Sequence, residues 1–210
     1  MHQIFRHINI ETHHDFHKEN TIYCPLSKQG SQDRADAVYN PLHLSVEHIV
    51  NWIFSSYHWA LLIGPEEEPA NDGGNDVPGT RCHVRSHPLR GWFYEEVPLT
   101  DVRTSRNLLA RLVVAKVVDE ERLMGVLRGT PAVNDEAGWL CSSWVISALA
   151  RIQEDAGCVA EGSKLDWEEI EAQGRDYVGR RMDEGRYAEM EDSELPRPTW
   201  DMLEDKEVLA

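Results

Sequence analysis

Cysteine is scarce in this chain of 210 residues: Cys24, Cys82, Cys141 and Cys158 are widely spaced, and no two form a Cys-x-x-Cys pair. Four scattered thiols do not make a disulfide framework, so reduced cysteines are expected. No apolar run approaches the roughly 18 to 20 residues that span a bilayer, so integral membrane association is not expected. The stretch Met1 to His7 lacks the continuous apolar core of a secretory leader, and no Asn-x-Ser/Thr acceptor occurs. A cytoplasmic location is the resulting expectation. Positive charge is also short, with 21 Lys and Arg against 37 Asp and Glu and a formal net charge of -16. From Glu161 to Ala210 there are 16 acidic residues and 7 basic ones. Such a surface repels phosphate backbones and anionic lipid, which argues against nucleic acid as a partner. It favours solubility. No internal repeat and no cofactor motif is visible, and no cofactor is expected.

Hydrophobic residues make up 41% and charged residues 28%, a balance that suits one folded core. Residues 1–40 are polar and His-rich without clean periodicity, and read as a weakly ordered extension. Val46, Ile49, Val50, Ile53 and Phe54 follow a helical spacing, with Ser45 as N-cap. Trp59-Ala60-Leu61-Leu62-Ile63, stopped by Gly64-Pro65, reads as a buried strand. The acidic, Gly- and Pro-rich segment Glu66 to Gly79 reads as an exposed hairpin loop. Short strands follow at Thr80–Arg85 and Trp92–Val97, and the Val-rich run Leu109–Val118 supplies another. Together they give a small antiparallel sheet of about four strands in an α+β domain.

Asp119 caps a helix bearing Leu123, Met124, Val126 and Leu127, which stops at Gly129-Thr130-Pro131. A loop through Asn134, Asp135 and Gly138 leads into a second helix opening at Cys141, with Trp144, Val145, Ala148, Leu149 and Ile152 as its apolar face. A third helix begins at Asp166, with Trp167, Ile170, Tyr177 and Val178 facing the core. Residues 188–210 read as an acidic tail, with Pro196 to Trp200 able to dock back on the domain.

Three residues carry candidate chemistry. Cysteine attacks as the thiolate, a minor species at neutral pH for an ordinary thiol. A helix N-terminus favours the anion through its partial positive charge and outward-pointing N–H groups. The same N–H groups can hold the oxyanion of a tetrahedral intermediate. Cys141 stands at that position. His58 leads a rigid strand and suits a base whose angle must be fixed, and His83, one strand later, can select its tautomer.

The sequence His58-Trp59-Ala60-Leu61, a following strand with His83, and Cys141 at a helix start resemble the circularly permuted papain-like family that includes lecithin:retinol acyltransferase. The segment Tyr57 to Pro65, with Cys141-x-x-Trp144-Val145 and Asp166-Trp167, is also similar to a fungal protein family. The resemblance covers roughly residues 57 to 187. It implies a permuted papain-like domain over 41–187, with His58 as base, His83 as orienting residue and Cys141 as nucleophile. The implied activity is a cysteine-dependent hydrolase or acyltransferase, acting on an amide or ester of a small-molecule or peptide acyl substrate. Leu140 stands where that family carries Asn.

Blander readings exist for each residue. A lone Cys on an apolar helix is usually a small core residue. Cys82, His83, His87 and Cys141, or His13, His14 and His17, could be assembled into a zinc site, but adjacent Cys82 and His83 point to opposite faces of a strand. No metal is expected. Trp59, Trp144 and Trp167 read as core, and the pairs Glu95-Glu96 and Glu168-Glu169 as solvated faces. The competing function is an inactive relative that serves as an acidic module binding a basic protein, through Glu66 to Asp76 or the tail.

Overall fold

The computed structural model describes residues 8–10, 41–48, 57–65, 68, 76–104, 108–155, 157–187 and 195–209. Its centre is the expected apolar strand, β3 (Tyr57–Ile63), which Gly64-Pro65 ends as the sequence requires. On one side it pairs antiparallel with β2 (Pro41–His48) and on the other with β4 (Gly79–His87). A tight turn joins β4 to β5 (Gly91–Leu99). Beyond β2 lies β6 (Leu108–Lys116), buried along nearly its whole length as a run of Leu, Val and Ala should be. The sheet continues through β7 (Thr199–Asp201) and β8 (Lys206–Leu209), while β1 (Ile8–Ile10) pairs with β2.

The register assigns the faces. Leu61 opposes Cys82, and Leu42 and Leu44 oppose Ile63 and Leu61, so Trp59, Leu61, Ile63, Cys82 and Val84 share one face. The helices cover it. In α1 (Glu120–Arg128), Met124 Sδ lies 3.9 Å from Cys82 Sγ. In α2 (Cys141–Glu154), the Trp144 ring packs 5.4 Å from that of Tyr94. In α3 (Trp167–Asp183), Trp167 sits 4.8 Å from Trp59. His58, Ala60, Leu62 and His83 belong to the opposite face. The helix starts follow capping chemistry: Asp119 accepts from the Arg122 N–H at 2.9 Å, and Asp166 from the Glu169 N–H at 2.9 Å.

The α+β class, all three helices and strands β3 to β6 match the sequence reading, and four parts of it are corrected. Among the described residues the sheet has eight strands rather than about four, and is mixed, since β1–β2 and β6–β7 are parallel. The helix expected from Ser45 is strand as far as His48; buried Leu42 and Leu44 show the period of two that governs there, and residues 49–54 lie outside the described residues. Ile8–Ile10 forms a strand inside the segment expected to be weakly ordered.

Two segments of what read as an acidic tail, Thr199–Asp201 and Lys206–Leu209, are strands of the sheet. Arg111, 1% exposed, donates from Nε to Thr199 Oγ1 at 2.8 Å and meets the Glu68 carboxylate in two bonds of 2.5 and 2.6 Å. Tyr177 Oη donates to Glu207 at 2.5 Å, and Arg181 pairs with the same carboxylate at 2.7 Å. Strands of three and four residues carry no readable alternation. Distant partners hold them in place, and composition cannot show that.

Candidate active site

Cys141 is the first residue of α2, and Gly138 (φ +85°) makes the turn that delivers the chain to it. The approach is stapled to the sheet. Asn134 Oδ1 accepts from the Trp92 N–H at 2.5 Å, its Nδ2 donates to the Trp92 carbonyl at 3.1 Å, and Trp139 packs 5.4 Å from the Trp92 ring. Gly91 (φ +70°) permits this, because a Cβ there would fall 2.0 Å from Asn134 Oδ1. Leu140 is the N-cap, with extended backbone and 52% exposure; its N–H donates to Ser143 Oγ at 3.2 Å. Its side chain has no acceptor to give the first turn, so that end of the helix keeps its affinity for an anion.

Cys141 Sγ, 5% exposed, lies 3.9 Å from the carbonyl oxygen of Tyr57. It therefore abuts the peptide bond that enters His58. The thiol reaches this point from the helix-covered face, at the first residues of β3, and Trp59 and Leu61 pack alongside it in the same core.

The His58 ring extends into a hydrogen-bonded chain. His58 Nε2 and His83 Nδ1 are 2.8 Å apart, their rings nearly perpendicular at 82°. His83 is 3% exposed, and its Nε2 lies 2.9 Å from Glu95 Oε1. Glu95 is directly opposite His83 in the β4–β5 ladder and shows 26% exposure; Arg85 Nε approaches it at 3.6 Å. The bond from His83 holds the Glu95 carboxyl below the usual carboxylate range, against a smaller opposing effect of burial. Of the three expected site residues, His58 and His83 are joined directly, and Cys141 sits beside the backbone at His58.

Residues 41–209 match the model of a family of unknown function, DUF6914. The chain belongs to that family. A 164-residue stretch, 77% of the chain, is 25% identical to an isoleucine–tRNA ligase from Wolbachia sp. subsp. Brugia malayi (strain TRS). The match takes in only 13% of that ligase's length. No solved structure matches the chain.

The other thiols of this DUF6914 member are placed differently. Cys82 is 0% exposed, and burial pushes its thiol up to about 12. Burial likewise raises Cys158 to about 11, and Cys24 lies outside the described residues. The zinc groupings do not form around His83, because Cys82 faces the helices while His83 faces Glu95. His87 Nδ1 instead accepts from the Leu89 N–H at 3.1 Å in the hairpin turn. Among the described residues no group of three or more His, Cys, Asp or Glu could hold a metal ion, and His13, His14 and His17 lie outside them.

Glu95 is the residue that sequence reasoning missed, having placed it on a solvated face with Glu96. A usable signal existed. The turn pairs His87 with Gly91, and stepping back along that register brings His83 opposite Glu95. Glu96, on the other face, serves Tyr94 and Arg128 instead.

Proposed function

We propose that this protein is a cysteine-dependent hydrolase or acyltransferase that processes an amide or ester through an acyl-thioester on Cys141. The observation that carries this reading is the chain of contacts around His58: its Nε2 is engaged by His83, and Cys141 Sγ rests against the Tyr57–His58 peptide. A thiol at a helix N-terminus, set against the strand that carries an imidazole held by a second polar ring, supplies the two groups that nucleophilic thiol chemistry needs. The resemblance to permuted papain-like enzymes points the same way, and the permuted papain-like fold is part of the proposal.

This mechanism requires the His58 ring, which alternation places on the face of β3 opposite Cys141, to swing round at the start of the strand so that its Nδ1 takes the Sγ proton as the sulfur attacks the acyl carbonyl carbon. The resulting oxyanion is held by N–H groups of the first turn of α2. The C–O or C–N bond to the leaving group breaks as His58 returns the proton to the departing oxygen or nitrogen. Water, or an acceptor hydroxyl or amine, then attacks the thioester carbonyl while His58 removes its proton. Collapse of this second intermediate expels the Cys141 thiolate, which recovers the proton from His58.

The competing reading, an acidic module for a basic partner, gains little. Glu68, near the start of the acidic loop, is already bound by Arg111 inside the molecule.

The test is iodoacetamide labelling at pH 6 with the modified cysteine located by mass spectrometry, followed by an acyl-directed activity probe. Fast labelling at Cys141 that slows in His58→Ala is expected. Slow labelling of Cys141, indifferent to His58→Ala, removes the proposal. A pull-down that depends on the acidic loop and survives Cys141→Ala would replace it with the binding module.

A further inference from the structure

We infer that copies of this chain join head to tail, the β4–β5 hairpin tip of one molecule entering a groove between α3 and the β7–β8 turn of the next. The groove has a volume of about 640 Å³ and includes no residue of the candidate active site. Its apolar lining comes from Trp200, Met202 and Leu203, and its charge from Glu169, Asp176 and Asp205 against Lys164. Asp176 is shared with Arg180, whose Nε donates to it at 2.9 Å. The carboxylates of Glu169 and Asp205 have no partner among the described residues. Trp200 already takes a guanidinium at its ring, since Arg180 Cζ stands 5.5 Å from the centroid. An occupant with an apolar side chain and an arginine next to each other suits this lining.

The chain carries such a pair. Leu89, in the turn of the β4–β5 hairpin, is 91% exposed, and Arg90 beside it is exposed with no side-chain partner among the described residues. From Val77 to Tyr94 there is no Asp or Glu, although the whole chain has a net charge of -16. Both surfaces hold their shape before they meet. At the tip, the Arg90 N–H donates to the His87 carbonyl at 3.2 Å. In the groove wall, Asp201 Oδ1 accepts from the Leu203 and Glu204 N–H groups at 2.8 and 3.1 Å, and the Met202 N–H donates to the Val113 carbonyl at 3.0 Å. Little ordering is left to oppose docking.

Topology names the occupant. The sheet runs β5-β4-β3-β2-β6-β7-β8, so the hairpin and the groove belong to its opposite ends. A second copy, rather than the molecule's own hairpin, therefore supplies the tip. A contact between two different patches is heterologous: it leaves one tip and one groove free, and closes only as a ring.

Sedimentation velocity on the full chain between about 10 µM and 1 mM, the range of a small transient contact, should show mass rising with concentration. Arg90→Glu should weaken the association about tenfold, and added salt should weaken it too. Two exposed positions decide the geometry. Leu89→Ser breaks the tip, and Ala172→Arg, in the α3 wall, breaks the groove. Each variant alone is expected to stay monomeric. Mixed in equal amounts they should form a dimer and nothing larger, because one keeps its groove and the other its tip. A mixture that remains monomeric overturns the inference, as does association that survives either variant. A wild type that is monomeric up to about 1 mM overturns it too, and leaves the groove to a segment of another protein.

Discussion

Cys82 and Cys141 are both buried and both contribute to the same core cluster, yet their surroundings differ in kind. Cys82 lies in the middle of a strand, between neighbouring strands and under Met124. Its backbone N–H belongs to a ladder, and burial outweighs what the Tyr94 hydroxyl and the Arg128 charge offer a thiolate there. Cys141 lies where a helix begins and a strand begins, so unladdered N–H groups lie next to it, and the strand it touches carries the hydrogen-bonded imidazole chain on its other face. Burial does not separate a structural thiol from a reactive one. What separates them is whether the burying groups are apolar side chains or oriented dipoles and bases.

The contrast is open to attack at several scales. In the native protein Cys82 should alkylate at least roughly a thousandfold more slowly than in urea, because reagent reaches it only through opening of the β-sheet. Labelling of native Cys82 at anything near its unfolded rate breaks the comparison at once. Next in size, His58→Ala should slow Cys141 labelling at pH 6 about a hundredfold. An ordinary thiol is only about 0.3% ionised at that pH, so most of the gain due to the base is lost.

Stability should follow the opposite order from reactivity. Cys82→Ala opens a gap under Met124 and should cost about 1–2 kcal/mol in urea denaturation. Cys141→Ala, at a helix end, should stay within about 0.5 kcal/mol of wild type; equal losses would show that both are packing residues. Leu140→Asn should stabilise by about 1 kcal/mol, since the exposed Leu140 side chain fills no cavity and Asn can cap α2. A loss in that variant would mean that the apolar side chain matters where it is.

The smallest effect concerns acid. The folded-state value of Glu95 lies below its ordinary 4.5, so its bond with His83 contributes stability fully present above about pH 4.5 and lost as pH falls through the lowered folded value. The stability gap between wild type and Glu95→Gln should therefore narrow on acidification, by urea midpoints measured from pH 7 down to pH 3. A constant gap would show that the carboxylate's charge contributes nothing.

Much of this arrangement could be read from the chain itself. The stop at Gly64-Pro65, the caps at Asp119 and Asp166, and the three-and-four spacing after Cys141 are local signals, and each element formed where they put it. His58 and His83 on neighbouring strands followed from strand alternation. Glu95 did not, because its significance depends on cross-strand register rather than on its neighbours in sequence. The β2 strand was misread because Val46, Ile49, Val50, Ile53 and Phe54 mimic a helix more loudly than Leu42 and Leu44 announce a strand. The terminal strands were missed for a different reason: what holds β7 is Arg111, 88 residues away from Thr199.

That separation has a temporal side. At about 5–20 residues per second of synthesis, Arg111 emerges roughly 4 to 18 seconds before the hydroxyl it bonds. Through that interval β6 presents an unfinished edge, largely apolar on both faces, and Arg111 Nε lacks the Thr199 hydroxyl it later bonds. An open strand edge is a template for the wrong chain. The nascent chain is thus most exposed to misassembly before β7 and β8 emerge, and those two strands close the window.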